Sequence, residues 1–189
     1  MTTRFAVAGQ AMNTPHIVAI GGTLRAESAT GKLLAAALAI AEARGARVTL
    51  LTGPAIAFPH YEPGAAEGHE DIARFLEALR TADAVIVGSP GYHGTLSGLV
   101  KTMLDYVEQL RTDARPYLDG RPVGLIATAG GWQAAVSTLQ ALRTVVHALR
   151  GWPTPMGLAI NTAESPDCVA ASEAQMTVMV DQLFAFLER

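Results

Sequence analysis

Apolar residues in this chain follow two rhythms, short unbroken runs and stripes that recur every three or four positions, and the two alternate. The run His16-Ile17-Val18-Ala19-Ile20 carries β-branched residues and stops at Gly21-Gly22. It predicts a strand buried on both faces, as in a parallel sheet. Leu33, Leu34, Ala37, Leu38 and Ala41 then keep the helical period, with Gly45 as the expected C-cap. Val48-Thr49-Leu50-Leu51 predicts a second strand, and Ile72, Phe75, Leu76 and Leu79 a second helix over residues 69–80. Residues 83–88 predict the central strand, followed by a long helical stripe of Leu96, Leu99, Val100, Met103, Leu104, Val107 and Leu110. A fourth strand is expected over 121–128, with Pro122 tolerable near its start. Gly130-Gly131 then opens a helix carrying Val136, Leu139, Leu142, Val146 and Leu149. Residues 156–160 suit the last strand and 176–187 the closing helix. Between 52 and 68 the pattern dissolves into Gly, Pro, Ala and aromatic residues. That is long for a connection in a compact domain, so it is expected to be functional or mobile.

Strands alternating with helices imply right-handed crossovers and a doubly wound parallel sheet. The expected fold class is α/β: a flavodoxin-like sheet of five strands in the order 2-1-3-4-5, with helices on both faces. Residues 16–189 are expected to form a single domain, with 1–15 a flexible tail; the alternative for Arg4-Phe5-Ala6-Val7-Ala8 is a short extra strand.

Composition narrows the class. At 189 residues the chain has one domain's length and needs no staples to bury a core. Half its residues are hydrophobic and 16% charged, which predicts an ordered globular chain. A net charge of −3 gives no basic footprint for nucleic acid. Cys168 stands alone, so no intrachain disulfide forms, and a reducing, cytoplasmic compartment fits best. The longest apolar run, 33–41, is half a membrane span between Lys32 and Glu42, so no membrane segment is expected. Residues 1–15 lack both the apolar stretch and the early basic cluster of a signal peptide.

In such a sheet the ligand lies beyond the carboxyl ends of the strands. Three loops leave those ends. The first carries Thr23, Arg25, Ser28, Ala29 and Thr30 just before a helix. Hydroxyls and backbone N–H groups at a helix N-terminus, with a guanidinium beside them, suit a terminal monophosphate. The plain alternative is N-capping by Ser28 or Thr30. Gly31-Lys32 is followed by Leu33 and no GxGxxG follows the first strand, so neither a nucleotide triphosphate nor a classical dinucleotide fold is indicated. The second loop, Gly88-Ser89-Pro90-Gly91-Tyr92-His93-Gly94-Thr95-Leu96-Ser97-Gly98, has glycines that let backbone approach a flat ligand and Tyr92 to stack on it. The third, Thr128-Ala129-Gly130-Gly131-Trp132, again opens a helix with small residues; its N–H groups suit a ring carbonyl and negative charge on a reduced ring.

These residues carry a resemblance. Gly22-Thr23-Leu24-Arg25-Ala26-Glu27-Ser28 resembles the Gly-Ser-x-Arg-x-x-Ser phosphate loop of the NAD(P)H-dependent FMN reductase family. The stretch Pro90-Gly91-Tyr92-His93-Gly94-Thr95-Leu96-Ser97-Gly98-Leu99-Val100-Lys101-Thr102-Met103-Leu104-Asp105-Tyr106 resembles its Pro-x-Tyr-Asn-Gly-Ser-x-x-Gly-x-Leu-Lys-Asn-x-x-Asp-Trp signature. Thr23 departs from the usual Ser, Thr30 stands near the usual Asn, and His93 replaces the Asn of the second motif. The resemblance implies bound FMN, with Thr23, Arg25, Ser28, Ala29 and Thr30 around its phosphate. Pro90, Gly91, Tyr92 and His93 would line one side of the ring, and Thr128, Gly130 and Gly131 another. It further implies NADPH or NADH as co-substrate and a small-molecule electron acceptor such as free flavin or a quinone, with ping-pong kinetics. A homodimer or homotetramer is implied, with a flavin-dependent monooxygenase as a candidate partner. The 96–110 stripe is wide enough for both the core and a partner helix.

No catalytic side chain and no metal site is singled out. The five histidines show no zinc spacing, and in hydride transfer the cofactor carries the chemistry. Two other readings stand beside the reductase: a flavodoxin-like FMN electron carrier without NAD(P)H activity, and a flavin-free interaction domain. Trp152 is expected in the core, Trp132 in packing or at the flavin, Lys101 and Asp105 as an ion pair, and His93 as a proton donor, a ring-edge contact or a turn residue.

Overall fold

Alternation along the strands divides the core into two layers. The computed structural model describes residues 14–25 and 27–188. The elements run β1 (His16–Gly21), α1 (Ala29–Glu42), β2 (Arg47–Leu51), α2 (Glu70–Thr81), β3 (Ala84–Tyr92), β4 (Thr95–Leu96), α3 (Gly98–Asp105), β5 (Pro122–Ala129), α4 (Trp132–Ala148), β6 (Trp152–Pro153), β7 (Leu158–Asn161) and α5 (Cys168–Leu187). Val18, Ile20, Val85, Val87, Val123 and Leu125 face the layer that contains residues of α2, α3 and α4. Ile17, Ala19, Ala84, Ile86 and Ile126 face the layer of α1 and α5. Both sets are buried, which is why these strands read as unbroken apolar runs.

The sheet runs β2-β1-β3-β5, with β6 and β7 both pairing parallel to β5 and β4 pairing antiparallel to β3. With the hairpin strand set aside and the broken last strand counted once, this is the expected doubly wound order. The residues 1–13 of the expected tail, and with them the candidate strand at 4–8, lie outside the described residues. Among the described residues no helix is long and apolar enough to cross a membrane.

Several expectations need correction. The last strand is two pieces because its ladder to β5, carried by the N–H groups of Trp152 and Thr154 to the carbonyls of Arg121 and Val123, stops before Met156. The carbonyls of Thr154 and Pro155 turn to Arg143, each at 3.0 Å, and the Met156 N–H donates to Gln182 at 2.7 Å. Trp152 is not in the core: it is 57% exposed and leans on Phe186. The closing helix begins eight residues before 176, at Cys168, capped by Asp167, whose carboxylate accepts from the Ala170 N–H at 3.1 Å. The 96–110 stripe is not one α-helix. After Asp105 it tightens into a 3-10 turn (Tyr106–Leu110), and Val100, Met103, Leu104, Val107 and Leu110 are all buried in this chain. Those five residues serve the core, while Leu96 and Leu99 are only half-buried against it. Lys101 and Asp105 do pair, at 2.6 Å. Part of the 52–68 stretch packs onto the core through Ile56, Phe58 and Tyr61. Phe58 and Tyr61 stand edge-on to Tyr106 at 5.4 and 5.3 Å, and the Tyr106 hydroxyl donates to the Pro59 carbonyl.

Helix α2 ends in a cap made by distant residues. The last carbonyls of a helix have no partner within it. Here the Arg121 guanidinium donates to the carbonyls of Ala82 (3.0 Å), Arg80 (3.1 Å) and Tyr117 (3.2 Å). The His16 Nδ1 donates to the Thr81 carbonyl at 3.1 Å, while its Nε2 faces the Thr49 hydroxyl at 2.8 Å. A carbonyl only accepts, so Nδ1 carries the proton; in the neutral ring the Thr49 hydroxyl then donates to Nε2. Burial holds the His16 pKa below its ordinary 6.5, outweighing the Thr81 carbonyl and Asp83, which raise it. A depressed histidine gives its full stability above the unfolded pKa and loses it as pH falls through the folded one. The unfolding free energy from denaturant titration is therefore expected to fall as the pH drops below about 6.5, by at most ~1.4 kcal/mol per pH unit for one proton. His16→Gln should shrink that fall; an unchanged fall would refute the assignment.

Candidate functional site

Three parallel strands lie side by side where β1 ends, with Gly21 beside Gly88 and Gly88 beside Ile126. At the end of β1 the chain turns through two glycines with φ of +119° and +97°. The Gly22 N–H donates to the Gly88 carbonyl at 3.0 Å. A Cβ on Gly21 would stand 1.9 Å from that same carbonyl oxygen. The floor of the site is thus backbone pressed on backbone, which no other residue allows.

The first wall is the N-terminus of α1. Ser28 caps it, its Oγ accepting from the Gly31 N–H at 3.1 Å, so the plain N-cap reading holds for that hydroxyl. Thr23 Oγ1 accepts from the Arg25 N–H at 3.1 Å, and the Thr30 and Thr128 hydroxyls meet at 2.7 Å, tying the first loop to the third. The first turn of α1 has no acidic residue, and Glu27 turns away to Lys32. Among the described residues, no carboxylate lies within 4 Å of the Arg25 side chain. The positive end of the helix and the guanidinium are both uncompensated, which is what an anion needs.

The second wall was expected as a loop after Val87. Instead β3 continues to Tyr92 and folds back through His93-Gly94 onto β4. His93 and Gly94 have φ of +52° and +92°, the pattern of a two-residue type I′ hairpin. Ser89 locks the hairpin: its Oγ accepts from the Ser97 N–H at 3.0 Å and donates to the Pro90 carbonyl at 2.8 Å. Helix α4 packs against Gly91, where a Cβ would be 2.5 Å from Thr138 Oγ1. That geometry accounts for the Asn at this place in the resembling family, not for the His93 found here. Asn tolerates positive φ better than His, so the Asn-Gly of the resembling family is the favoured type I′ pair. His93→Asn is expected to stabilise the fold by roughly 0.5 kcal/mol, read as a raised unfolding midpoint; a lowered midpoint would count against the turn role.

The third wall comes from the end of β5. Thr128 is buried, and Gly130-Gly131 lead into α4, whose N-cap is Gly131 with no side-chain cap. The three walls enclose an open cleft of about 230 Å³. Ten of the twelve residues singled out line it: Thr23, Arg25, Ser28, Ala29, Thr30, Pro90, Gly91, Tyr92, Thr128 and Gly130. His93, exposed at the hairpin tip, and Gly131 stand outside the lining. Ala129, within the third loop, and Thr162, outside all three, also line the cleft. Thr162 follows β7, so it lies beyond the carboxyl end of a fourth strand, and the rule that located the other loops would have found it. Trp132 is half exposed beside the cleft, its indole N–H donating to Glu164 at 3.0 Å.

The lining offers hydroxyls, backbone N–H groups, one guanidinium and one phenol ring, with no carboxylate, imidazole or thiol. Such a site can hold an anionic tail and a flat, polar-edged ring. It has no general base, so its chemistry has to come from what it binds.

Comparison with known proteins agrees with that donor set. Residues 15–165 match the model of a family described as NADPH-dependent FMN reductase. The FMN-dependent NADPH-azoreductase of Staphylococcus haemolyticus is 32% identical over 102 residues, covering 54% of this chain and 50% of that protein. The chain thus spans about half the length of the curated relatives it matches. In fold, it is similar to the flavoenzyme NAD(P)H:(acceptor) oxidoreductase FerB of Paracoccus denitrificans, at TM-score 0.75 and 22% identity over 93% of this chain and 98% of that one. It is similar also to an apo NADH:FMN oxidoreductase, at TM-score 0.69 and 24% identity over 93% and 89%. With the family model matched across the strands and loops that build the cleft, the chain belongs to the NADPH-dependent FMN reductase family.

Proposed function

We propose that the chain is an FMN-dependent NAD(P)H oxidoreductase that delivers electrons to a small-molecule acceptor. The observation that carries this is the cleft itself: an uncompensated helix N-terminus with Arg25 at one end, and walls of glycine, proline and backbone at the other. Bound FMN would supply the hydride-accepting ring that the lining lacks. Thr23, Arg25, Ser28, Ala29 and Thr30 hold the phosphate in this reading, with Arg25 the charged clamp. Pro90, Gly91 and Tyr92 flank the ring on one side and Thr128 and Gly130 on another. His93 contributes by setting the hairpin that presents Tyr92, and Gly131 by leaving the α4 N–H groups uncapped toward the ring. Tyr92, 52% exposed, marks the open side where a nicotinamide or an acceptor ring would stack. The relatives' names point to azo compounds beside free flavin and quinones as acceptors. Assembly as a homodimer or homotetramer, service to a flavin-dependent monooxygenase and a cytoplasmic setting complete the proposal.

The test is anaerobic mixing of the FMN-loaded protein with NADPH and with NADH. Loss of the yellow colour with at least one is expected; a flavin that stays oxidised with both overturns the activity. Binding is tested separately. Arg25→Ala should weaken FMN about 10- to 100-fold, the worth of a charge-assisted hydrogen bond, in a fluorescence titration. Equal affinity would remove Arg25 from the phosphate site.

A further inference from the structure

A second charged concavity lies at the other end of the sheet. It is a bowl of about 380 Å³ lined by Arg80, Asp113, Ala114, Arg115 and Arg121. Arg121 precedes the first residue of β5, whereas Thr128 in the cleft is near its last; seven steps of a strand put roughly 23 Å between them. The bowl is therefore separate from the proposed FMN site.

Three arginines and a single carboxylate line it. Asp113 is already engaged, accepting from the Arg80 Nε–H at 2.9 Å, and Arg80 also meets Glu77. Arg121 is 1% exposed and, among the described residues, has no carboxylate within 4 Å. Three of its five N–H groups go to the carbonyls of Ala82, Tyr117 and Arg80, leaving two without a protein acceptor among the described residues. Arg115 is exposed on the rim and has no ion pair among the described residues. Burial, followed by the nearby positive charge of Arg115, draws the Arg121 pKa down to about 10, while Asp83, Asp119 and Asp113 act the other way without contact. A buried guanidinium with spare donors and a second cation in the same bowl suit an anion.

We propose that this bowl binds an oxyanion of the phosphate class, shared between Arg115 and the spare N–H groups of Arg121. Planar, multiply donating guanidinium groups match such an anion in shape as well as charge. Binding there would draw the loop that carries Arg115 toward the α2 end and raise the stability of the whole chain by mass action.

The experiment is calorimetric titration of the FMN-saturated protein with inorganic phosphate, ionic strength held constant with chloride. Saturable binding at one site per chain is expected. Arg115→Gln, a change at an exposed position, should weaken it at least about tenfold. The Arg25→Ala chain without added FMN should bind phosphate with the same heat, which keeps this result independent of the flavin assignment. Adenosine 5′-monophosphate serves as a second probe: tighter binding than phosphate assigns a nucleotide, and binding no tighter assigns the bare oxyanion. Absence of saturable heat, or heat that survives Arg115→Gln, overturns the proposal.

Discussion

Gly21→Ala is expected to destabilise the chain by about 4 kcal/mol or more, a large share of a domain's ordinary stability. Three costs add. A φ of +119° is a region that L-residues rarely adopt, at ~1–3 kcal/mol. The new methyl would sit 1.9 Å from the Gly88 carbonyl oxygen, a contact that only separation of β1 from β3 relieves, at ~1–3 kcal/mol for overpacking. The same separation breaks the bond from Gly22 N–H to Gly88, worth ~1 kcal/mol. Gly45→Ala is the control. It also has positive φ, +88°, but nothing lies within 4 Å of its Cβ position, so it should cost only ~1 kcal/mol. Denaturant unfolding of the two variants separates clash from backbone strain. If they fall within about 1 kcal/mol of each other, the close approach of the two strands is wrong.

The second large effect is expected at Arg121. Arg121→Met keeps most of the buried volume but strands the carbonyls of Arg80, Ala82 and Tyr117, at ~1 kcal/mol or more each. It also removes a cation from the C-terminal end of α2, a favourable place for one, worth up to ~1 kcal/mol. The expected loss is about 3–4 kcal/mol. Hydrogen exchange should show amides near the end of α2 opening first. Arg121→Lys restores the charge without the planar fork, so it should recover part of the loss and not all of it. A Met variant as stable as the parent would mean that solvent, not Arg121, satisfies those carbonyls.

The order of strands and helices was legible because burial on both faces leaves an unbroken apolar run and burial on one face leaves a stripe. Those signals are local. The three loops of the cleft were legible for a related reason: glycines and hydroxyls cluster at strand ends, and the parallel topology brings those ends together. What stayed hidden depends on partners far along the chain. Arg121 read as the first residue of a strand, and its role comes from carbonyls some 40 positions earlier. His16 likewise caps a helix 65 residues away. The length of β3 was misjudged because Gly88 and Gly91 look like turn residues. They are there to let Thr30 and Leu34 on one side, and Thr138 on the other, come against the strand. Trp152 was placed inside because tryptophan usually is; the break between β6 and β7 turns it out.

That break bears on self-recognition between chains. An open sheet edge is a template on which another chain can add a strand. Here one edge is cut into pieces of two and four residues, with Pro153 and Pro155 at the cut and the Met156 N–H already bonded to Gln182. The other edge, β2, is five residues long and opens with the exposed charge of Arg47. Among the described residues neither margin presents an unbroken run longer than the five residues of β2, so edge-to-edge growth toward fibrils is resisted most at the broken side. Association of copies is thereby directed to side-chain surfaces.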